Sequence, residues 1–569
     1  MILDSLRKRF CLPALLLALF LALSGNAWAA APAPVRGKNG GLVVSSHVLA
    51  SAIGQKVLDE GGNAVDAAVA VGYALAVVHP SAGNIGGGGF AVIRMADGRE
   101  ATADFRERAP LKATRTMFLD ARGNVVPDAT TLGYLAAGTP GTVAGLSAIL
   151  EKYGTRKLPR LMAPAIVLAE KGFRINARQE ATMARSRDRF AAFASSSRYF
   201  LKPDGSTYKE GELFVQKDLA ATLRLIARQG PAAFYKGKIA DLIAEDMRRN
   251  GGLVDRADLA AYTVTWRAPI RGSYRGYEII SMAPPSAGGL MLIQMLNVME
   301  SADIKGMGFA SSATIHFMAE AMRQAFADRS EYMGDPDFVA VPVDKLIDKA
   351  HAKAIYKHIL LNGDTATPSA EASPGRFLKE HDQTTHYSVV DKWGNAVAVT
   401  YTVNDLYGSA AAVAGAGFLL NNEMDDFAAK PGAINIFGLT GGEANAVAPQ
   451  KRPVSSMTPT ILCKDGKLFM VVGSPGGARI ITTTLQVISN VIDHGMNISQ
   501  AVMAPRFHMQ WIPDELRVEK YGLVRDVEDK LKAMGYEVVV RAPMGDVNAI
   551  LVDPETGVVY GATDPRAEF

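Results

Sequence analysis

A stretch rich in small residues and proline, residues 362–377, divides the chain into two parts with different sequence patterns. Before it, residues 140–360 alternate between helical patterns and short loops. After it, residues 384–390 and 396–403 are rich in β-branched and aromatic residues, and the turn sequence Asp-Lys-Trp-Gly-Asn separates them. The stretch therefore predicts an exposed linker that leads directly into a β-hairpin.

Two more hairpins are predicted in the C-terminal part. Residues 460–463 and 468–472 flank a Lys-Asp-Gly turn, and residues 549–552 pair with 558–561. Helical patterns cover residues 46–58, 64–78, 312–332 and 480–492. The second of these helices is very apolar and follows the N-cap residue Asn63, so we expect it to be buried. Because strands and helices are segregated, the chain predicts an α+β fold built from layers.

The first 29 residues are typical of an export signal. Basic residues at positions 7–9 precede an apolar run over residues 12–23, and residues 27–29 read Ala-Trp-Ala, a cleavage site between small residues. The run is shorter than the roughly 20 apolar residues that span a bilayer. We expect cleavage after Ala29 and a soluble protein, without a membrane anchor, in the periplasm or outside the cell.

Charge and cysteine content exclude several classes of protein. The 61 basic and 57 acidic residues leave a net charge of +4, which is too small for an electrostatic footprint on nucleic acid. Cys11 and Cys463 cannot build a disulfide framework or a CxxC site, and the nine histidines include no HExxH pair. A zinc site made of scattered histidines and carboxylates is the alternative that stays open. We expect no nucleic-acid partner, no cofactor and no metal.

Two glycine-rich segments could bring backbone N–H groups to a ligand. Residues 83–89 fit the loose spacing of a dinucleotide fingerprint, but they follow a helix and precede a strand, the reverse of the order that this motif needs. We interpret them as a loop of close backbone packing. Gly476 and Gly477 precede a helix, where two successive N–H groups suit an anion or an oxyanion, and a plain turn is the alternative.

A threonine at the head of a strand directly after a linker has a chemical meaning if the chain is cut there. A threonine hydroxyl is a weak nucleophile that needs an adjacent base, and a freed α-amino group with a pKa of roughly 7.7–8.0 can be that base. The residues alone offer Thr384 and Thr385 equally for this role. A strand that is merely rich in threonine is the alternative interpretation.

Long motifs on both sides of the linker resemble γ-glutamyltranspeptidases. After the linker, the resemblance rests on TTHYSVVDKWGNAVAVTYTVN from Thr384, NNEMDDF from Asn421, KRPVSSMTPT from Lys451 and GSPGGARIITTTLQ from Gly473. Before it, the matching motifs are EGGNAVDAAVAVGYALAVVHP from Glu60, GNIGGGGF from Gly83, DFRERAP from Asp104, GTPGTVAG from Gly138, PPSAGG from Pro284 and MAEAMRQAFADRSEYMGDPDF from Met318. The resemblance covers nearly the whole chain after the export signal.

The resemblance implies the N-terminal-nucleophile fold, a four-layer αββα sandwich, and a precursor that cuts itself. Carried onto this chain, the cut falls between Gln383 and Thr384. It gives a large subunit of residues 30–383 and a small, catalytic subunit of residues 384–569. The two would form a heterodimer without a covalent link, held together by strands that both contribute to one core.

The resemblance also implies γ-glutamyl transfer and hydrolysis on glutathione and other γ-glutamyl compounds. Thr384 would attack the γ-amide carbonyl, Thr402 would orient Thr384, and the N–H groups of Gly476 and Gly477 would hold the oxyanion. Water, or an amino-acid or dipeptide acceptor, would then take the γ-glutamyl group. His386 lies two residues after the nucleophile, and we interpret it as a packed strand histidine rather than as a catalytic base.

The glutamyl head would be recognised through its two charges. Taken singly, the residues concerned are typical of surface ion pairs, turns and helix caps. The family positions for the α-carboxylate are Arg106, Ser455 and Ser456, and those for the α-ammonium are Asn404, Glu423 and Asp426.

Residues 431–448, here called the lid loop, resemble the loop that covers the pocket in many family members. Phe437 stands where many bacterial members carry tyrosine, and the lost hydroxyl removes a hydrogen bond that helps to close the loop. A glutaryl-cephalosporin acylase and a γ-polyglutamate-cleaving enzyme are the alternative enzymes, and a periplasmic amino-acid receptor is the alternative without catalysis. The positions for an α-amino and an α-carboxyl group favour a γ-glutamyl substrate.

Overall fold

The computed structural model describes residues 32–368 and 384–568, with side chains described as far as Arg566. The predicted export signal and most of the predicted linker lie outside the described residues. Gln383 lies outside them too, so the cleavage point stays a prediction.

Eighteen strands occur within the described residues, and all but one pair of neighbouring strands run antiparallel. In chain order they are β1 (Val35–Arg36), β2 (Leu42–Ser45), β3 (Gly88–Arg94), β4 (Glu100–Phe105), β5 (Phe173–Arg174), β6 (Leu213–Phe214), β7 (Thr265–Arg267), β8 (Ile270–Tyr274), β9 (Tyr277–Ser281), β10 (Thr385–Val390), β11 (Ala396–Thr402), β12 (Thr460–Lys464), β13 (Lys467–Val472), β14 (Phe507–His508), β15 (Leu516–Glu519), β16 (Val538–Arg541), β17 (Asn548–Val552) and β18 (Val559–Thr563).

The α-helices are concentrated before residue 363 and after residue 478. They span Val48–Asp59, Ala64–Val78, Thr142–Tyr153, Leu158–Lys171, Ala177–Ala191, Ala194–Phe200, Lys217–Gln229, Ala232–Tyr235, Lys238–Arg249, Arg256–Ala261, Gly288–Met299, Ile304–Met307, Ser312–Tyr332, Val343–Leu346, Lys349–Asn362, Arg479–Ile492, Ile498–Met503 and Arg525–Ala533. Among the described residues, no helix is both long enough and apolar enough to cross a membrane.

Two large sheets stack face to face at the centre of the molecule. One contains six strands in the order β2-β10-β11-β3-β4-β7, and the other contains seven in the order β1-β18-β17-β13-β12-β9-β8. A core that includes Phe90, Ile280 and Val471 lies between the sheets. One further core lies between each sheet and the helices that cover it. The predicted four-layer αββα sandwich is therefore confirmed.

Successive side chains along β10 and β11 point to opposite faces of the sheet, so each of these strands contributes to two cores. Tyr387 and Val389 point into the core with the helices, whereas Val390 and Ala398 point into the core between the sheets. Every side chain of a strand that is buried on both faces must be apolar or hydrogen-bonded to another group of the protein. This requirement accounts for the density of β-branched and aromatic residues after the linker.

The helix Ala64–Val78 is buried along its whole length, as predicted. Asn63 caps it: its side chain accepts from the N–H of Asp66, while the Asp66 carboxylate accepts from the N–H of Asn63. The helix packs against β10 and β11 and so supports the strand that follows the linker.

The three predicted hairpins are confirmed as β10–β11, β12–β13 and β17–β18. Further hairpins, including β3–β4 and β8–β9, were not predicted. The second of these lies among the helical patterns that dominate the middle of the chain. The predicted start of the linker was one residue early, because the helix Lys349–Asn362 includes residue 362.

Strands from both sides of the linker alternate within each sheet. The hairpin β10–β11 lies between β2 and β3. In the other sheet, the strands that follow the linker form one block, in which β18 pairs with β1 at one edge and β12 pairs with β9 at the other. The two predicted subunits therefore share both sheets, and neither has a separate core between the sheets.

Candidate active site

One cavity brings together nine of the ten predicted site residues from distant parts of the chain. The tenth, Gly476, precedes a lining residue. The cavity is lined by Arg106, Thr384, Thr402, Asn404, Glu423, Asp426, Phe437, Leu439, Ser455, Ser456, Met457, Gly477 and Ile480.

The two threonines of the cavity lie side by side on neighbouring strands. Thr385 pairs with Tyr401 in the register of β10 and β11, which puts Thr384 beside Thr402. The Thr384 hydroxyl donates to Thr402 Oγ1 at 3.1 Å, and the N–H of Asn404 donates to the same oxygen at 2.8 Å. Thr402 therefore ties the Thr384 hydroxyl to the backbone that follows β11.

The structure distinguishes between the two threonines that the sequence offered. Thr385 Oγ1 donates to Ser46 Oγ at 3.0 Å, and Thr385 does not line the cavity. His386 is fully buried, and its ring nitrogens lie 2.8 Å from Thr400 Oγ1 and 3.0 Å from Ser388 Oγ. Burial lowers the pKa of His386 to about 3. The interpretation of His386 as a packed strand histidine is therefore confirmed.

The glycine-rich loop at residues 83–89 packs against the backbone of Thr402. The Asn84 amide donates to the carbonyl oxygen of Thr402 at 2.9 Å, and Asn84 Oδ1 accepts from the N–H of Gly87. A Cβ atom on Gly87 would collide with the same Thr402 carbonyl. The loop is thus a place of close backbone approach, as predicted, and glycine is required there because no side chain fits.

Gly476 and Gly477 form the turn that enters the helix Arg479–Ile492. Their φ angles are 129° and 57°, which L side chains rarely adopt. Within the described residues neither N–H has a hydrogen-bond acceptor, although the carbonyls of both accept from the first turn of the helix. Two free donors at a helix N-terminus can stabilise a negative charge.

Arg106 is the centre of a buried cluster of charges. Its guanidinium pairs with Glu423 through Nη1 and with Asp426 through Nη2, and it also donates to the carbonyls of Pro453 and Val454. Burial alone would lower the pKa of Arg106, but the two carboxylates outweigh it and raise the pKa. Arg106 therefore stays charged and has little donor capacity left unless a ligand displaces a partner.

Glu107 was not predicted to belong to the charge cluster, because a glutamate beside an arginine is usually a surface partner. Glu107 is fully buried, and its Oε2 lies 3.9 Å from Arg106 Nη1. Burial raises the pKa of Glu107 and that of Glu423, with which it is in contact. The available sequence signal was a pair of adjacent charged residues, Arg106 and Glu107, directly after the buried strand β4.

Arg329 was also missed, although it lies within a quoted motif. It is 6% exposed, its Nε has no partner, and no ion pair to it occurs among the described residues. Burial lowers the pKa of Arg329 to about 10, and the nearby Asp426 opposes this shift. Arg329 is thus a second buried cation that acts on Asp426 from outside the cavity lining.

The serine pair and Asn404 present polar groups to the cavity. Ser455 exchanges backbone hydrogen bonds with Pro285 and Ala287 of the PPSAGG motif, and Ser455 Oγ accepts from the N–H of Met457. Ser456 Oγ is buried and has no partner among the described residues. The Asn404 side-chain N–H donates to the carbonyl of Asn422 at 3.0 Å. The side-chain oxygen of Asn404 is therefore the atom that can accept from a ligand in the cavity.

The lid loop closes one side of the cavity. The Phe437 ring lies against Gly477, where a Cβ atom would collide with it. The Gln510 amide donates to the carbonyls of Phe437 and Gly438, each at 3.1 Å, and Asn435 donates to Asp426 at 3.0 Å. Thr440 bonds to Ser330, next to Arg329. The loop is therefore tied to both the charge cluster and the helix Ser312–Tyr332.

In residues 32–368 and 384–568, no three His, Cys, Asp or Glu side chains are grouped so that they could hold a metal ion. The polar groups of the cavity are instead suited to a zwitterion: one arginine and two serines for a carboxylate, and two carboxyl groups with an amide oxygen for an ammonium group. Beside them lie a hydroxyl and two free N–H groups, the components of acyl transfer.

Comparison with known proteins gives consistent results. The family model described as gamma-glutamyltranspeptidase matches residues 50–568. The glutathione hydrolase proenzyme of Escherichia coli (strain K12) is 52% identical over 535 residues, which cover 94% of this chain and 91% of that protein.

Two solved structures resemble the fold. The γ-glutamyltranspeptidase of Helicobacter pylori is 60% identical, with a TM-score of 0.59 over 60% of this chain and 97% of the solved chain. The cephalosporin acylase of Bacillus halodurans is 28% identical, with a TM-score of 0.84 over 95% of this chain and 97% of its own. On its sequence match over most of its length, the chain belongs to the γ-glutamyltranspeptidase family.

Proposed function

We propose that the chain is the precursor of a self-processing enzyme that hydrolyses and transfers γ-glutamyl groups from glutathione and other γ-glutamyl compounds. The observation that carries the proposal is the cavity itself, where Thr384 Oγ1 lies 3.1 Å from Thr402 Oγ1 beside the charge cluster. The name of the E. coli relative, a glutathione hydrolase proenzyme, supports both the donor and the precursor state.

Cleavage between Gln383 and Thr384 would convert the precursor into the enzyme. Thr384 has a φ of 104°, which a β-branched residue adopts at a cost of about 1–3 kcal/mol. Breaking the bond before Thr384 releases this strain and frees its α-amine. The H. pylori chain supports such a division, because its match covers 60% of this chain but 97% of itself. Residues 30–383 make up a similar share.

The freed Thr384 acts as nucleophile and base in one residue. Its α-amine takes the hydroxyl proton while Oγ1 forms a bond to the γ-carbonyl carbon of the donor. The N–H groups of Gly476 and Gly477 stabilise the oxyanion, the C–N bond breaks, and the proton passes to the leaving amine. Water, or the amine of an amino acid or dipeptide, then attacks the ester and releases Thr384.

The charge cluster holds the glutamyl head in this scheme. The donor's α-carboxylate displaces part of the contacts of Arg106 with its carboxylate partners and also binds the Ser455 and Ser456 hydroxyls. Ser456 Oγ is a buried group without a partner among the described residues. The α-ammonium binds the oxygens of Asn404, Glu423 and Asp426. Each charge of the substrate thereby meets groups of the opposite polarity.

Residues 1–29 support export, so we place the enzyme in the periplasm or outside the cell. Fusion of this segment to a reporter that is active only after export tests the location. An inactive reporter would contradict it.

Denaturing gels test the maturation. We expect bands of about 38 and about 20 kDa from a chain of 60.6 kDa, by share of residues, and N-terminal sequencing of the smaller band should begin at Thr384. Thr384→Ala should give a single uncut band without activity, whereas Thr385→Ala serves as the matched control and should still be cut. Normal cleavage of Thr384→Ala would overturn the assignment.

A cephalosporin acylase is the second candidate function, because the B. halodurans structure has a TM-score of 0.84. Comparing γ-glutamyl-p-nitroanilide with glutaryl-p-nitroanilide distinguishes the two. The glutaryl group lacks the α-ammonium that Glu423 and Asp426 would bind, so we expect a strong preference for the γ-glutamyl compound. Preference for the glutaryl compound would overturn the substrate assignment.

A further inference from the structure

The carboxyl groups of Glu107 and Glu423 lie in contact, and neither reaches solvent. Glu107 is 0% exposed and Glu423 is 1% exposed. Three of their four oxygens, Glu107 Oε1, Glu107 Oε2 and Glu423 Oε2, have no hydrogen-bond partner among the described residues. Two ionised carboxylates in contact cannot satisfy each other, because neither carries a donor, whereas one added proton supplies the missing hydrogen bond.

Few other donors lie near these oxygens: the backbone N–H of Glu107 itself favours the ionised form of its carboxyl group, but burial outweighs it and raises the pKa. Gly88 and Gly138 pack directly against Glu107, and a Cβ atom on Gly88 would collide with its carboxyl group. The nearby phenols donate elsewhere: Tyr262 to the carbonyl of Arg106 at 2.8 Å, and Tyr235 to the carbonyl of Pro140 at 2.9 Å. Arg106 Nη1 contacts Glu423 but lies 3.9 Å from Glu107.

The balance of charge in the cluster also requires one proton. The cations are Arg106 and Arg329, and the acids that face them are Glu107, Glu423 and Asp426. If all three acids were ionised, the buried cluster would carry an uncompensated negative charge, which is costly without water. With one proton on the pair, the cluster is neutral.

We propose that Glu107 and Glu423 share one proton at neutral pH, and that this proton makes the donor pocket neutral and therefore selective for a zwitterionic head group. The inference rests on the proposed function, because it concerns how the same pocket recognises its donor. Glu107 is a positioning residue in this scheme: it does not line the cavity, and it acts by holding Glu423 against Arg106 through the shared proton. Above the pH at which the pair loses the proton, the two carboxylates repel each other and Glu423 loses its position.

Infrared pH-difference spectroscopy of the full chain tests the shared proton directly. In addition to the contribution of Asp425, the wild-type protein should show the C=O stretch of one buried carboxylic acid at pH 7, and this band should vanish as the pH rises toward 10. The band should be missing in both Glu423→Gln and Glu107→Gln, because an amide then replaces one partner and the other carboxyl group ionises. Asp425, whose pKa burial raises to about 7, contributes equally to all three proteins and cancels in the comparison.

Kinetics of the matured enzyme add a second measurement. The ratio of the donor KM of wild type to that of Glu107→Gln should rise above neutral pH, by up to about tenfold per pH unit for one proton. Titration of the Thr384 amine and of the donor cancels in this ratio. A merely structural role of Glu107 predicts a ratio that does not change with pH.

The two readouts separate the inference from the proposed function. Identical infrared spectra for wild type and both variants would overturn the shared proton, whatever the activity. An enzyme that shows the band but does not act on γ-glutamyl compounds would overturn only the function. If one variant fails to fold, the other still decides the result, since each removes the same proton.

Discussion

Thr402 is the residue through which the fold holds the hydroxyl of Thr384, the proposed nucleophile. Its hydroxyl oxygen accepts from Thr384 Oγ1 at 3.1 Å and from the N–H of Asn404 at 2.8 Å. One side chain thus orients the Thr384 hydroxyl and fixes the backbone of Asn404, a proposed substrate ligand. A hydroxyl group at position 402 should therefore matter more for activity than the volume of the side chain.

We expect Thr402→Val to lower kcat/KM for γ-glutamyl-p-nitroanilide. The variant removes the hydrogen bond that orients the Thr384 hydroxyl, a contribution of up to about 1.5 kcal/mol, or a rate loss of up to roughly tenfold. Thr402→Ser keeps the hydroxyl and should stay within a few-fold of wild type. Rates are compared per mole of cleaved protein, and equal losses in both variants would contradict the role.

Arg329 is expected to support donor binding through Asp426. Removing its charge in Arg329→Met should raise the pKa of Asp426, since Arg329 lowers that pKa in the folded protein. Asp426 would then lose its charge as the pH falls, so the donor KM should rise by roughly tenfold, with a larger rise at pH 6 than at pH 8. Arg329→Lys keeps the charge and is the control. A pH-independent rise in Arg329→Met would contradict the electrostatic role.

The lid loop is the element whose position the sequence could not define. Its residues form no helix or strand beyond one short 3-10 turn, so the position depends on bonds to other elements. Gln510 provides two of these contacts, to the carbonyls of Phe437 and Gly438. A single side chain far away in sequence therefore anchors the tip of the loop.

Gln510→Glu should loosen the lid loop without changing the size of the side chain, because a carboxylate cannot donate to these carbonyls. We expect faster limited proteolysis within residues 431–448 and a higher donor KM. Gln500→Glu is the matched control: its side-chain oxygen only caps a surface helix at the N–H of Asn497. Equal proteolysis rates for wild type and Gln510→Glu would show that other contacts suffice.

At the scale of the whole molecule, the two predicted subunits depend on each other for their cores. The hairpin β10–β11 is bordered on both sides by strands that precede the linker. Cys463 is buried and free, so no disulfide within the described residues joins the two parts. Cohesion after cleavage must come from the shared sheets and the apolar surface that they bury.

Residues 384–569 expressed alone should therefore fail to fold. Without β2 and β3, the strands β10 and β11 expose edges and apolar faces that are buried in the intact molecule. We expect insoluble protein, or no cooperative thermal transition by circular dichroism. Co-expression with residues 30–383 should restore solubility. A stable, folded small subunit in isolation would contradict this dependence.

Much of the fold was accessible from the sequence because its signals are local. The capped helix Ala64–Val78 and the hairpins β10–β11 and β12–β13 each follow from spacing, turn residues and β-branched content within a short stretch. The hairpin β8–β9 escaped prediction because its five-residue strands carry a mixed pattern, and only β9 pairs with a further strand, β12, which is distant in sequence.

The sequence by itself determined the family and the layered α+β class, and it predicted the site residues, because motifs and periodicity are written in neighbouring positions. The tertiary structure placed Thr384 and not Thr385 at the cavity, buried Glu107 against Glu423, and brought Arg329 close to Asp426. Burial, register and charge contact arise only when distant segments pack together. The protonation of the pocket depends on those distances and on the exclusion of water, which no local pattern encodes.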